Sequence, residues 1–419
     1  MKKVTKQTYI NWYKDMLFWR KFEDKLASVY IQQKVRGFLH LYNGQEAVLA
    51  GALHAMDLSK DKMITAYRNH VQPIGMGEDP KRVMAELYGK VTGTSKGMGG
   101  SMHIFSKKHG FYGGHGIVGG QIPLGAGLAF ADMYQGKDHV TCCYFGDGAV
   151  RQGSFHETMN MAMLWNIPAV FVIENNGYGL STPTSQQYRC AKLVDKAIGY
   201  GIEGYQIDGY NILEVYNQVS ALAASVRERP RPILLEFITF RMRGHEEASG
   251  TKYVPKDLFE QWSKKDPVHQ FEQYLVSEKI LDNQEIEQIK HAISTQIEQD
   301  LMEVFAEPEV DFDPQQLTIE DIAAEVEAAG TGALEFEEAV DLHHRDEAVP
   351  HGEALVLWRN LADDWAEVAR SLAVGSVDRD DRRAHVIADQ GQAGVHPGPN
   401  GIVPARVVEC RCMRRVESY

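Results

Sequence analysis

The sequence predicts an α/β protein with a parallel, doubly wound sheet that is preceded by helices and followed by a helical segment. Apolar runs at 140–145 and 169–173 flank a stretch of helical spacing at 155–165, and a further helix and strand follow at 212–226 and 233–240. This alternation of strand and helix is typical of parallel sheets buried on both faces. With 419 residues, 44% of them hydrophobic, the chain is long enough to bury such a core.

The first 60 residues are predicted to be helical. A second helix should begin at Asn43, whose side chain can cap it while Glu46 reaches back to the cap. The stretch 38–42 before it is expected to be extended. The first helix is predicted to bury one face, because its apolar side chains are spaced three and four residues apart: Trp12, Met16, Trp19, Phe22 and Leu26.

Residues 93–127 are unusually rich in glycine, and apolar side chains are interleaved throughout the stretch. Positions without a Cβ allow the backbone to approach a ligand or another segment closely, which favours a folded binding loop over a flexible linker. A series of tight turns is the alternative that the composition leaves open.

The C-terminal third divides into two parts. Helical segments are predicted from Lys256 to about Val304, after the last strand. Beyond residue 320 the composition changes abruptly, and the last 129 residues contain no lysine. We therefore expect a main domain over 1–322 and an atypical acidic tail over 323–419 that is poorly ordered or of foreign origin.

Charge is also divided unevenly. Residues 1–290 carry 34 Lys and Arg against 30 Asp and Glu, whereas residues 291–419 carry 10 Arg against 27 acidic residues. A mildly basic body with scattered cations suits small anionic ligands better than nucleic acid. No secretory signal is visible, and no apolar run reaches the roughly 18 residues of a membrane span. The five cysteines lack zinc-site or disulfide spacing. A cytoplasmic protein with free thiols and no membrane or nucleic-acid partner is expected.

Polar residues follow two of the predicted strands. Gly146-Asp147-Gly148 ends the run at 140–145 and Asn175-Asn176 ends the next, with 26 residues between the motifs. Open α/β sheets bind ligands at this edge, and a helix predicted to begin just after Gly148 would favour an anion. Carboxylate and amide oxygens beside phosphates are the usual ligands of Mg²⁺. The sequence therefore predicts a site for a metal diphosphate.

This pair of motifs resembles the fingerprint of thiamin-diphosphate enzymes. Further motifs make the chain similar, over residues 8–322, to the α subunit of the decarboxylating first component of 2-oxo-acid dehydrogenase complexes, the pyruvate, branched-chain 2-oxo acid and acetoin group. These motifs are Gly44-Gln45-Glu46-Ala47, Tyr67-Arg68-Asn69-His70, Gly99-Gly100-Ser101-Met102-His103, Gly116-Ile117-Val118-Gly119-Gly120-Gln121-Ile122-Pro123-Leu124-Gly125, Asn160-Met161-Ala162 and Lys265-Asp266-Pro267.

The resemblance implies a thiamin-diphosphate-binding fold and a set of site residues. Mg²⁺ would be held by Asp147, Asn176 and the main-chain carbonyl of Tyr178. The diphosphate would be surrounded by Gly148, Ala149, Tyr67 and Arg68. The backbone from Gly116 to Val118 would meet the aminopyrimidine ring. Arg68 also suits its role by its own chemistry, because the forked guanidinium matches phosphate oxygens.

Two histidines are candidates for catalysis. His245 matches a histidine that in this family reaches the active centre from a mobile loop, where an imidazole suits proton transfer. The flanking Arg241 and Arg243 would suit a substrate carboxylate. His40 matches a histidine near the substrate in pyruvate-type relatives, and a purely structural role for it is equally open. Glu246 stands where animal pyruvate-type relatives carry a serine whose phosphorylation blocks activity, so kinase control at this position is excluded.

The resemblance also implies partners. A glutamate that helps to ionise the cofactor comes from a separate β subunit or a second domain in relatives, and a lipoyl-bearing acyltransferase core accepts the acyl group. The predicted function is oxidative decarboxylation of a 2-oxo acid by the α half of an α₂β₂ assembly. An acetoin dehydrogenase α subunit and a non-catalytic thiamin-diphosphate-binding protein are the alternatives. The acyl group stays open, because Val71-Gln72-Pro73 departs from the continuation usual in pyruvate and acetoin types.

Overall fold

A six-stranded parallel sheet lies at the centre of the computed structural model, which describes residues 4–35 and 37–310. The strands are β1 (Lys62–Ala66), β2 (Phe111–His115), β3 (Thr141–Gly146), β4 (Ala169–Asn175), β5 (Tyr178–Gly179), β6 (Thr182–Pro183), β7 (Glu203–Asp208) and β8 (Ile233–Ile238). Strands β5 and β6 form a separate antiparallel pair. The other six run parallel in the order β2-β1-β3-β4-β8-β7.

Helices cover both faces of this sheet. Those in the described residues are α1 (Lys6–Ile31), α2 (Glu46–Ala55), α3 (Val71–Gly75), α4 (Pro80–Leu87), α5 (Gln121–Tyr134), α6 (Gly153–Leu164), α7 (Thr184–Gln187), α8 (Ile212–Glu228), α9 (Lys256–Ser263), α10 (Pro267–Ser277) and α11 (Asn283–Phe305). Helices α5 and α6 pack on one face, and α1, α2, α8, α10 and α11 pack on the other. The predicted doubly wound α/β fold, its N-terminal helices and its C-terminal helical segment are confirmed.

The two faces have separate hydrophobic cores. Along β3, Cys142 and Tyr144 enter the core shared with α1 and α8, whereas Cys143 and Phe145 enter the core shared with α5 and α6. Successive side chains of a strand point to opposite faces, so a strand buried on both faces needs a continuous apolar run. This requirement explains why the short runs at 140–145 and 169–173 identified strands correctly.

The start of α2 differs from the prediction. The helix begins at Glu46, and Asn43 does not cap it; the Asn43 amide instead donates to Asp24 (3.0 Å). Gly44 adopts φ +95° between the two, and a Cβ there would lie 2.4 Å from the carbonyl oxygen of Phe240. The chain therefore turns at Gly44, and the Glu46 carboxylate accepts the Gly44 N–H (3.0 Å) rather than that of Asn43.

Part of the glycine-rich stretch is organised around a buried carboxylate. Glu86 of α4 is fully buried and accepts four main-chain N–H groups at 2.6–3.0 Å, those of Ser95, Gly97, Gly99 and Gly100. A Cβ at Gly93 would lie 2.4 Å from a Glu86 carboxylate oxygen. In this part of the stretch, the close approach of the backbone therefore serves an internal side chain. The stretch also contains tight turns, the alternative that the composition left open.

The boundary after β3 also needs correction. A short 3₁₀ helix, Asp147–Arg151, follows the strand, and α6 begins only at Gly153. The α-helix does not begin directly after Gly148, because Gln152 is extended (φ −72°, ψ 145°) and separates the two helical segments. An anion at this strand end therefore meets a 3₁₀ turn first.

Three remaining predictions concern the C-terminal tail, the cysteines and the absence of a membrane span. The boundary at 322, the tail over 323–419 and Cys410 and Cys412 lie outside the described residues. Cys142 and Cys143 are buried and Cys190 is exposed, and all three are free thiols. None of the helices described is both long enough and apolar enough to cross a membrane.

Candidate active site

The predicted site residues follow five neighbouring strands at one edge of the sheet. Parallel strands all end at the same edge, so residues far apart in the chain meet there. In the order of the sheet, β2 is followed by Gly116, β1 by Tyr67 and Arg68, β3 by Asp147, Gly148 and Ala149, β4 by Asn176, and β8 by the loop that carries Arg241 and His245.

Asp147 lies directly after β3 and is 1% exposed. The Tyr188 hydroxyl donates to its main-chain carbonyl (2.5 Å), and the Gln187 amide donates to its carboxylate (3.4 Å). Burial raises the pKa of Asp147 to about 6, although the charges of Arg241 and Arg151 oppose this shift. A buried carboxylate with no cation in salt-bridge contact among the described residues is suited to a metal ion.

Asn176 lies directly after β4 and is also buried. Its amide nitrogen donates to the side chain of Gln45 (3.2 Å), and its amide oxygen accepts the N–H of Tyr178 (3.3 Å). Tyr178 begins β5 and pairs in register with Pro183 of β6. The three expected metal ligands thus lie at two adjacent strand ends and the turn that follows.

Two small residues, Gly148 and Ala149, follow Asp147 after β3. Gly148 lies in the 3₁₀ helix beside β5, where a Cβ would contact the Cα of Gly179 at 3.4 Å. Ala149 is buried behind it in the core beneath α6. A Cβ at position 148 would thus meet the turn after β4 only at an ordinary van der Waals distance, so packing in this region does not require the glycine.

Two buried arginines share the site without a carboxylate partner among the described residues. Arg68 donates to the main-chain carbonyls of Leu41 (2.5 Å) and His245 (2.8 Å), and Arg241 donates to the Tyr253 hydroxyl (2.9 Å). The Arg241 Nε is buried and has no hydrogen-bond partner among the residues that the structure describes. Burial, together with the charge of Arg241, lowers the pKa of Arg68 to about 10. Two adjacent buried cations are unfavourable unless an anion compensates them, which fits a diphosphate.

Three aromatic side chains form a cluster beside these arginines. The ring centroid of His40 lies 4.5 Å from that of Tyr67 and 5.2 Å from that of His245. Burial and the charge of Arg68 lower the pKa of His40 to about 2, and burial with the charges of Arg68 and Arg241 lowers the pKa of His245 to about 3. Both imidazoles are therefore neutral near pH 7.

The backbone after β2 is the most open part of the site. Ile117 is 80% exposed and Val118 is 42% exposed. The Ser154 hydroxyl of α6 donates to the Gly119 carbonyl (3.4 Å), which ties this loop to the helix that follows β3. The expected contact of Gly116 and Val118 with the aminopyrimidine ring stays a prediction.

One expectation for the arginines is wrong. Arg243 is not available for a substrate carboxylate, because it forms ion pairs with Asp24 (2.7 Å) and Glu247 (3.2 Å). Arg241, two residues earlier, donates instead to the Leu180 carbonyl (3.1 Å) and the Tyr253 hydroxyl (2.9 Å).

Sequence reasoning also missed residues that position the site. Tyr253 accepts the His245 N–H (2.8 Å), and Gln187 and Tyr188 contact Asp147. Their spacing carries no signal, because Gln187 and Tyr188 lie at the end of the short helix α7 and Tyr253 lies in the irregular segment between β8 and α9. Gln45 was detectable as part of the Gly44-Gln45-Glu46-Ala47 motif, which lies opposite Asn176.

The donor set fits magnesium bound to thiamin diphosphate. The described residues contain no cluster of three or more His, Cys, Asp and Glu side chains that could hold a metal alone. One carboxylate, one amide and one main-chain carbonyl form an incomplete oxygen shell, and Mg²⁺ commonly completes such a shell with phosphate oxygens. Two further buried atoms, Nε of Arg241 and Nδ1 of His245, have no hydrogen-bond partner within the described part of the chain, and a bound ligand would satisfy them.

These features define an α/β enzyme of the class that binds a metal diphosphate at the carboxyl edge of its sheet. Residues 14–312 match the family described as dehydrogenase E1 component. The chain is 43% identical over 305 residues to the pyruvate dehydrogenase E1 component subunit alpha of Rickettsia felis, covering 73% of this chain and 91% of the relative. The corresponding subunit of Rhizobium meliloti is 41% identical over 286 residues, covering 68% and 82%.

The chain belongs to the dehydrogenase E1 component family, as the α subunit of a 2-oxo-acid dehydrogenase. Its activity is decarboxylation of a 2-oxo acid as the α part of the E1 component. Enzymes of this family depend on thiamin diphosphate, usually with Mg²⁺.

Proposed function

We propose that this chain and a β subunit oxidatively decarboxylate pyruvate and pass the acyl group to a lipoyl-bearing acyltransferase core. The observation that carries this proposal is the delivery of Arg68, Asp147, Asn176 and Arg241 to one edge by four adjacent strands. The names of the relatives favour pyruvate among the 2-oxo acids. An α₂β₂ assembly would complete the site.

Each residue has a proposed task. Asp147, Asn176 and the Tyr178 carbonyl hold Mg²⁺, and Arg68 and Arg241 compensate the charge of the diphosphate. When bound, thiamin diphosphate supplies the nucleophilic carbon and the electron sink for decarboxylation. His245 and His40, neutral and buried beside the arginines, orient the substrate and exchange protons with its oxygen atoms.

The β subunit is proposed to supply the glutamate that contacts the aminopyrimidine ring. The open loop at Gly116 to Val118 would lie next to that ring. The isolated chain should therefore bind Mg²⁺–thiamin diphosphate weakly and turn over negligibly.

Reconstitution tests the proposed function. The purified chain is combined with a β subunit, and turnover is measured on pyruvate, branched-chain 2-oxo acids and acetoin, with cofactor binding followed by calorimetry. Turnover on pyruvate that requires both subunits supports the proposal. Preference for acetoin would make the chain an acetoin dehydrogenase subunit, and cofactor binding without turnover would make it a binding protein.

Replacing Glu246 should have little effect. Its carboxylate accepts the Ala248 N–H (2.8 Å) and caps a 3₁₀ turn, a task that a serine hydroxyl also performs. Glu246 carries about one negative charge against nearly two for a phosphate. Turnover of Glu246→Ser in the reconstituted enzyme is expected within a few-fold of wild type. A rise of tenfold or more would show that Glu246 acts as an inhibitory charge.

Removing the C-terminal residues should also be tolerated. The family match ends at residue 312, and we propose that the functional domain ends near 322. A chain truncated after Ile322 is expected to keep its thermal midpoint and its affinity for thiamin diphosphate in the presence of the β subunit. Differential scanning calorimetry and titration calorimetry measure the two quantities, and a large fall in either would contradict the proposed boundary.

A further inference from the structure

Glu23, His70 and Ser101 form a buried hydrogen-bond network that is separate from the proposed cofactor ligands. Nδ1 of His70 lies 2.8 Å from a Glu23 carboxylate oxygen, and Nε2 of His70 lies 2.8 Å from the Ser101 hydroxyl. The three residues come from α1, from the segment after β1 and from the glycine-rich loop. They are 1%, 0% and 4% exposed, respectively.

The chemistry of the side chains constrains which groups donate and which accept in this network. A carboxylate only accepts, so the Nδ1 of His70 carries the proton. Nε2 of His70 shares a hydrogen bond with the Ser101 hydroxyl, and the Ser101 oxygen accepts the His40 N–H (3.3 Å). The second Glu23 oxygen accepts the Tyr42 N–H (2.9 Å). The hydrogen bonds of the trio therefore also hold the backbone at residues 40 and 42 in place.

The resemblance of Glu23, His70 and Ser101 to a hydrolytic triad does not extend to function. A nucleophilic serine needs access to a substrate carbonyl and nearby oxyanion donors. Ser101 is buried, and its hydroxyl is already engaged on both sides by His70 and the His40 N–H. The arrangement therefore serves the backbone that it contacts.

That backbone is a four-residue ribbon, 39–42, which is held on two sides. The N–H groups of His40 and Tyr42 go to the buried trio, whereas the carbonyls of Leu39 and Leu41 accept the N–H of Glu247 (2.9 Å) and the guanidinium of Arg68 (2.5 Å). Alternation of this kind is typical of extended chain. The ribbon thus lies between the trio and the residues of the proposed active site, with His40 at its centre.

A further contact ties the same loops together. The Asn69 amide nitrogen donates to the carbonyls of Tyr67 (2.7 Å) and Ser101 (2.8 Å), and its oxygen accepts the Ile104 N–H (3.2 Å). Asn69 therefore holds the glycine-rich loop against the segment that carries Tyr67 and Arg68. The position of the Ser101 hydroxyl is set independently of His40.

We propose that Glu23, His70 and Ser101 are positioning residues that place the His40 imidazole against Tyr67 and His245 for 2-oxo acid decarboxylation. This inference rests on the proposed function for the role of His40. Removing the Ser101 hydroxyl leaves the His40 N–H and the His70 ring without their shared partner. The ribbon is then free to shift, and a shift of about 1 Å at a catalytic group can lower turnover by about 10²-fold.

The test compares Ser101→Ala with a matched control in the reconstituted α and β enzyme. Ser101→Ala is expected to lower kcat 10- to 100-fold, with the dissociation constant for thiamin diphosphate unchanged within twofold. Val71→Ala, next to His70 and fully buried in the apolar core, removes packing without touching the hydrogen-bond network. This control should lower the thermal midpoint and leave kcat within twofold of wild type.

A double variant separates positioning from general weakening of the fold. In the His40→Ala background, Ser101→Ala should cause less than a twofold further loss of kcat, because the group that it positions is already absent. A crystal structure of Ser101→Ala should show the His40 ring displaced by about 1 Å. Equal losses in both backgrounds, wild-type kcat in Ser101→Ala, or an unmoved ring would overturn the inference. Absence of 2-oxo acid turnover in the wild-type enzyme would refute the proposed function, while ring displacement would still test the positioning role.

Discussion

Asp147→Asn is expected to abolish Mg²⁺–thiamin diphosphate binding and turnover while leaving the fold intact. The amide keeps the size and one oxygen of the carboxylate but loses the charge that binds the metal, and an incomplete oxygen shell holds Mg²⁺ poorly. Titration calorimetry on the reconstituted enzyme should show at least a 100-fold weaker cofactor dissociation constant, and turnover should fall to background.

The thermal midpoint provides the control for this variant. The pKa of Asp147 is raised to about 6 by burial, so the folded state disfavours the ionised carboxylate, and this destabilisation is fully present above pH 6. Asp147→Asn removes it, so the cofactor-free midpoint at pH 7.5 should equal or exceed that of wild type. Asn176→Ala should also lose metal and cofactor. Retained cofactor affinity in either variant would contradict the assigned ligands.

The same pKa predicts the pH dependence of cofactor binding. Mg²⁺ binds the ionised carboxylate, and Asp147 takes up a proton as the pH falls through about 6. Affinity for Mg²⁺–thiamin diphosphate should therefore be constant above pH 7 and fall about tenfold per pH unit below 6. Calorimetric titrations between pH 5 and 8 measure this dependence, and a flat profile would place the metal elsewhere.

The sheet was predictable because its strands are buried on both faces. Runs such as that at 140–145 must then be apolar throughout, and the polar residues at their ends are conspicuous by contrast. Asp147 and Asn176 stand out for this reason. Local breaks were less predictable, because Gly44 and Gln152 change the chain direction through backbone angles that depend on neighbouring segments.

The contacts that surround the site residues could not be predicted from sequence spacing. Arg241 and Arg243 differ by two positions, yet one has no carboxylate partner in the described residues and the other pairs with Asp24, 219 residues earlier in the chain. Likewise, His70 looks like part of a phosphate motif in the sequence, and only its contact with Glu23 shows that it is engaged in a buried network. Such pairings depend on which loops meet, and the sequence order does not contain that information.

His245→Ala is expected to separate chemistry from cofactor binding. The His245 side chain touches the aromatic cluster of His40 and Tyr67, whereas the Arg68 guanidinium holds only its main-chain carbonyl. Truncation to alanine therefore leaves the arginine contact in place. Cofactor affinity should stay within a few-fold of wild type, and turnover should fall about 10²–10⁴-fold, the usual contribution of a positioned acid–base group.

The pH profile identifies the role of the lost imidazole. Burial and the charges of Arg68 and Arg241 hold the pKa of His245 near 3, and a bound diphosphate compensates those charges, which raises the pKa toward the working range. The kcat profile of the wild-type enzyme should thus contain an ionisation that His245→Ala lacks. His291→Ala, an exposed histidine on α11, should keep both the rate and the profile. Wild-type turnover in His245→Ala would exclude a catalytic role, and an unchanged profile with a reduced rate would restrict His245 to substrate orientation.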